Sequence, residues 1–129
     1  MRAYAESLHP HGALVRAGDH ELVLDQPPEH GMAPIEALLS ALAGDAVIQA
    51  EKAAKELQIG LKASSALAEL TSTGVNLTLT LWTERREQAD KIAKRVEESS
   101  KVMALLSRGV RLKLTAVWRK PLKLLAKPE

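Results

Sequence analysis

The chain contains no cysteine and no phenylalanine, and aromatic residues make up only 2% of its 129 positions. The first absence removes disulfides, thiolate nucleophiles and sulfur-ligated metals in one step. The second requires a core assembled from Leu, Ala, Val and Ile. No apolar run reaches the roughly 18 residues of a membrane span, because Gly44 and Asp45 interrupt the best candidate. The N-terminus also lacks an apolar signal-peptide core, so the expected location is the cytoplasm. Neither a phosphate-cradling glycine loop nor a Ser-His-Asp arrangement is visible.

What is present is a composition of 46% hydrophobic and 26% charged residues, that of a globular protein. The length suits one domain, 1–129, able to bury about two thirds of its unfolded surface. The formal charge of +2 names no partner. Basic residues nevertheless gather late in the chain, among them Arg108, Arg111, Lys113, Arg119, Lys120, Lys123 and Lys127. No aromatic stacking platform accompanies them, which argues against nucleic acid and for a solvated strand face and tail.

Residues 2–8 alternate as a first strand, with His9-Pro10-His11-Gly12 as turn material. Ala13 to Arg16 and His20 to Asp25 read as a hairpin, with Leu22 and Leu24 inward and Glu21, Val23 and Asp25 on the other side. A long helix is expected from Pro34 to Leu57, opened by a proline that needs no N–H there and stopped near Gly60. Ile59 to Leu70 and Val75 to Trp82 form a second strand pair. Thr83 is the expected N-cap of a second helix, whose core stripe is Ala89, Ile92, Ala93 and Val96. After a break at Ser99-Ser100 come a short helix, Val102 to Leu106, and a last strand with Val110, Leu112, Leu114 and Ala116 inward. Leu122, Leu124 and Leu125 in the tail call for a partner surface. The class is α+β, ordered βββ-α-ββ-α-(α)-β.

Pro34-x-Glu36-x-Leu38-Leu39-x-Ala41-Leu42-Ala43-Gly44 resembles the central helix of the OsmC/Ohr family, the osmotically induced and organic hydroperoxide resistance proteins. Ala53-x-Lys55 into Gln58-Ile59-Gly60 and Val102-x-x-Leu105-Leu106-Ser107-x-Gly109-Val110 are similar too. The resemblance implies an intertwined homodimer with its two central helices in the middle. It also implies two interface pockets, in which the peroxidases reduce organic hydroperoxides with a cysteine pair. Gly44, lacking a Cβ, is expected to let those two helices approach closely.

Carried over residue by residue, the resemblance leaves no thiol machinery. Asp45 stands at the peroxidatic cysteine position and Ser100 at or beside the resolving one. Ile35 stands at the position of the family glutamate, with Glu36 next along. The family arginine falls near Gly12 or Ala13, with Arg16 close by. Peroxide reduction needs a thiolate that becomes a sulfenic acid and condenses with a second thiol. A carboxylate cannot traverse that cycle, and no catalytic residue is assigned.

The expected role is therefore a non-peroxidase relative, binding a small apolar molecule in a dimer-interface pocket marked by Asp45 and Ser100, with Arg16 and Glu36 as candidate neighbours. Asp45 and Ser100 are expected to hydrogen-bond, and a separation beyond about 4 Å would refute this. Two alternatives stand beside that reading. One is an enzyme of unassigned reaction type, hydrolysis among the options, using Asp45 as acid or base. The other is an interaction protein with a basic C-terminal surface. No cofactor is expected. His9 and His11, with Asp19 or His20, offer too few fixed ligands for a metal. Glu36 suits the dipole at the helix start.

Overall fold

A computed structural model describes residues 1–122 of the chain. The elements are β1 (Tyr4–Leu8), β2 (Gly12–Ala17), β3 (His20–Asp25), α1 (Pro34–Leu57), β4 (Ala63–Thr71), β5 (Gly74–Trp82), α2 (Arg86–Ser99), α3 (Lys101–Leu106) and β6 (Leu112–Arg119). This is the expected α+β order, with two three-stranded sheets and one long helix. The chain divides into two compact units, residues 1–40 and 41–129, and the boundary falls inside α1. No helix among the described residues is long and apolar enough to cross a membrane.

The first unit is an antiparallel meander, β1-β2-β3. Ala17 pairs with His20, so Gly18 and Asp19 form a two-residue turn, with Gly18 at φ +60°. The expected alternation of β3 is reversed at its end. Leu22 is exposed and Asp25 is only 3% exposed. Hydrogen-bonding groups gathered around the Asp25 carboxylate account for this, as set out below. At the start of α1, the Glu36 carboxylate accepts from the Ala33 N–H at 2.8 Å. Glu36 thus supplies the second half of a capping box, a more specific role than dipole compensation.

In the second unit β5 is the middle strand. It pairs antiparallel with β4 and parallel with β6, in the order β4-β5-β6. Parallel neighbours need a crossover, and α2 and α3 supply it. Val75, Leu77, Leu79 and Leu81 alternate along β5 and are buried, as their period-2 spacing predicts. The other buried apolar residues here are Leu42, Ala46, Ala50, Ala53 and Ala54 of α1, Ala89, Ile92, Ala93 and Val96 of α2, and Met103. Removing one of the larger side chains, such as Leu79, costs about 2–5 kcal/mol. Gly74 sits at φ +153°, and a Cβ there would lie 2.1 Å from the Arg111 carbonyl oxygen. The Val75 N–H donates to that same oxygen at 2.8 Å, which requires the close approach.

Several local expectations are corrected. Thr83 does not cap α2. Its N–H donates to the Arg119 carbonyl at 3.1 Å and its hydroxyl to the Arg85 carbonyl at 2.8 Å, so sheet pairing holds it and the helix begins later. Arg85 becomes the N-cap, its N–H donating to the Gln88 side chain at 3.0 Å. At the end of α1 the residue with positive φ is Gln58, at 56°, rather than Gly60. The Ile59 N–H still closes onto the Ala54 carbonyl, so β4 starts at Ala63 and not at Ile59. Val110 lies before β6 and is exposed, as is Ala116, so the inward series there is confined to Leu112 and Leu114. Leu122 is exposed. Leu124 and Leu125 lie outside the described residues.

Candidate functional site

Asp45 lies on α1 and Ser100 at the junction of α2 and α3, 55 positions apart in sequence. Ser100 ends α2 because its own N–H still bonds the Val96 carbonyl while its ψ of 112° leaves the helical range. It then starts α3, its Oγ accepting from the Met103 N–H at 3.1 Å, which is ordinary serine capping. The same hydroxyl donates to Asp45 Oδ2 at 2.5 Å. Ser100 is 2% exposed, and Asp45 is half-buried. The Gln49 side-chain amide donates to the other oxygen, Asp45 Oδ1, at 3.3 Å. The two residues that the resemblance puts at the cysteine positions are thus within direct hydrogen-bonding distance. Asp45 finds its partners in Ser100 and Gln49.

A crevice of about 320 Å³ opens beside this pair. It is lined by Asp45, Gln49, Lys52, Ala53 and Glu56 of α1, Arg95 and Ser99 of α2, and Lys101 of α3. Asp45, Gln49, Lys52 and Glu56 follow one another at spacings of four, three and four, which places them on one helical face. Glu56 pairs across to Arg95, with Oε1 2.5 Å from Nη1. The Ser99 hydroxyl is buried and meets no hydrogen-bond partner among the described residues. Sequence reasoning missed every lining residue beyond Asp45. The polar stripe on α1 was its available signal; Arg95 and Ser99 come from another element and carry none.

The other candidates belong to the first unit. Arg16 is committed on the sheet, its Nε to Glu21 at 2.8 Å and its Nη1 to Glu6 at 3.2 Å. Ile35 is 46% exposed.

A second polar cluster in the first unit also differs from expectation. His11 meets neither His9, Asp19 nor His20. Its Nδ1 is 2.6 Å from Asp25 Oδ1 and its Nε2 is 3.0 Å from Glu29 Oε1. The second Asp25 oxygen accepts the His30 N–H at 3.0 Å. The Asp25 hydrogen bond, reinforced by both carboxylate charges, raises the His11 pKa. The His30 N–H, followed by the His11 bond and charge, lowers that of Asp25. Among the described residues, His11, Asp25 and Glu29 are the one group of three close enough to share a metal ion. Their geometry is that of a carboxylate on each ring nitrogen, an imidazolium clasp. An ion on one nitrogen would have to displace one of those two carboxylate bonds.

No protein-family model and no curated protein matches the sequence. Solved structures do match. An OsmC-like protein from Mycoplasma pneumoniae superposes with a TM-score of 0.77 at 16% identity, covering 92% of this chain and 95% of that one. The organic hydroperoxide resistance protein OhrB of Bacillus subtilis gives 0.65 at 15% identity, with 92% and 96% coverage. A putative organic hydroperoxide resistance protein from Vibrio cholerae, with captopril bound in one of its active sites, gives 0.65 at 15% identity, with 90% and 88% coverage. Identities this low speak for the fold alone. The chain has the fold of the OsmC-like and organic hydroperoxide resistance proteins, and it carries that fold without a single cysteine.

Proposed function

We propose that the protein is a non-redox binding protein, a homodimer that takes up a small, largely apolar molecule at the crevice beside Asp45 and Ser100. The observation that carries the reading is the 2.5 Å Asp45–Ser100 hydrogen bond at the edge of that crevice, in a chain with no thiol. Oxygen atoms here cannot cycle through sulfenic acid and disulfide, so thiol-dependent peroxide reduction is chemically closed. A pre-organised carboxylate–hydroxyl pair at the rim of a cavity is suited to orienting a ligand.

Ala41, Gly44 and Ile48 add a second support. They lie at helical spacing on α1 and are exposed, Ile48 at 57%. A Cβ at Gly44 would meet nothing within 4 Å in one chain. A second copy laid on this face would cover apolar surface that otherwise remains in water. The Vibrio cholerae protein with captopril in an active site offers a precedent for a small organic molecule in this fold.

A thermal-shift screen with an alkyl hydroperoxide, fatty acids and apolar amines tests the proposal. The expected outcome is saturable stabilisation by at least one class, lost in Asp45→Ala, with no dithiol-dependent consumption of the hydroperoxide. Binding at a hundredfold excess over Kd stabilises by about 2.7 kcal/mol, well within detection. A flat response across all three classes would overturn it.

A further inference from the structure

The crevice beside Asp45 contains charged groups of both signs, and their partners divide them unevenly. Its two carboxylates already have partners. Both Asp45 oxygens accept hydrogen bonds, from Ser100 and Gln49, and Glu56 holds Arg95. Lys52 and Lys101, by contrast, line the cavity and form no ion pair among the described residues. Among the described residues the buried Ser99 hydroxyl has no hydrogen-bond partner either. Formal charges on the lining are three positive, Lys52, Arg95 and Lys101, against two negative, Asp45 and Glu56. A ligand that pairs these lysines and the Ser99 hydroxyl brings acceptors and negative charge.

We infer that the crevice recognises the anionic end of its ligand, a carboxylate or a phosphate monoester, with Lys52 and Lys101 supplying charge and Ser99 a hydroxyl donor. This rests on the binding reading above and specifies it. The Asp45–Ser100 bond then fixes the rim against which the rest of the ligand is oriented. Asp45 already accepts one hydrogen bond on each oxygen, whereas each lysine brings three donors and has no ion-pair partner among the described residues. An anion there meets two ammonium groups at once, carried at exposed positions of the cavity lining.

The test uses four probes with one alkyl chain and different ends: octanoate, octyl phosphate, octanol and octylamine. Affinities are measured by calorimetry at pH 7.5 and low salt on the intact protein, with unfolding midpoints recorded in parallel. The inference expects both anions, or one of them, to bind at least tenfold more tightly than octanol, and octylamine to bind least. Lys52→Met and Lys101→Met, both at exposed positions, should each lower anion affinity severalfold and leave octanol unchanged. Ser99→Ala should weaken anion binding without lowering the unfolding midpoint, since the hydroxyl has no partner to lose. A preference for octanoate identifies the carboxylate, and a preference for octyl phosphate identifies the phosphate. Equal binding of octanol and the anions, or tightest binding of octylamine, overturns the anion assignment while the binding proposal stands. Absence of binding by all four removes both.

Discussion

Replacing Ser100 by alanine removes two hydrogen bonds at once, and their separate values follow from what each one joins. The first is the cap on the Met103 N–H, worth about 1 kcal/mol for a serine-to-alanine change. The second is the bond to Asp45 Oδ2, a charge-assisted contact in the range of about 1.5–3 kcal/mol. Asp45 is half-buried, so water replaces part of the lost donor and the lower end of that range applies. The expected destabilisation is about 2–3 kcal/mol. A double-mutant cycle separates the two parts. In an Asp45→Ala background the carboxylate bond is already absent, so Ser100→Ala should then cost only about 1 kcal/mol, the cap alone. Urea unfolding by circular dichroism measures all four corners, with the m-value checked for constancy. A Ser100→Ala cost that is the same in both backgrounds, within about 0.3 kcal/mol, would refute the reasoning. The short contact would then contribute nothing to stability.

Two further predictions concern other parts of the molecule. The His11 clasp should respond to pH with a definite sign. The folded-state pKa of His11 is raised above 6.5, so its contribution is fully present below that value and is lost as pH rises through the raised pKa. Asp25 is lowered below 3.8, so its contribution is present above that value and lost as pH falls through the lowered one. Exchange of the His30 amide, corrected for its intrinsic pH dependence, should therefore accelerate at alkaline pH. That alkaline limb should be missing in His11→Ala; its survival there would assign it to another group. Gly74→Ala should destabilise by about 2 kcal/mol or more, since both the backbone conformation and the Arg111 carbonyl exclude a Cβ. A wild-type unfolding midpoint in that variant would show that the turn can shift without cost.

How much could be read in advance depended on whether the deciding interaction was local. The bounds of α1 were legible at both ends, because Pro34 opens it and the apolar pattern runs on to Leu57. The leucine series of β5 was legible for the same reason. Asp25 was misread, since strict alternation put it on the outer side of β3. The groups that hold its carboxylate, the His11 ring and the His30 N–H, lie outside that strand. Thr83 was misread in a similar way. A threonine before acidic residues has every local mark of a helix cap, yet pairing with Arg119, far along the chain, claims its N–H first. The Asp45–Ser100 pair was legible only through the resemblance. No pattern within either segment announces that a serine 55 positions later will face that aspartate.

The central position of β5 bears on how the second unit is assembled. One side of β5 is served by β4, its immediate neighbour through a two-residue turn, and that hairpin can close in microseconds. Its other side waits for β6, which arrives only after α2 and α3 have been traversed. Loop closure over that distance is slower, so an interval exists in which β5 has one open edge. During synthesis the interval lengthens, since the residues of β6 leave the ribosome after the hairpin has had time to form. An unpaired edge bearing Leu77, Leu79 and Leu81 is adhesive. The vulnerable species of this protein is thus a nascent chain stopped short of Leu112.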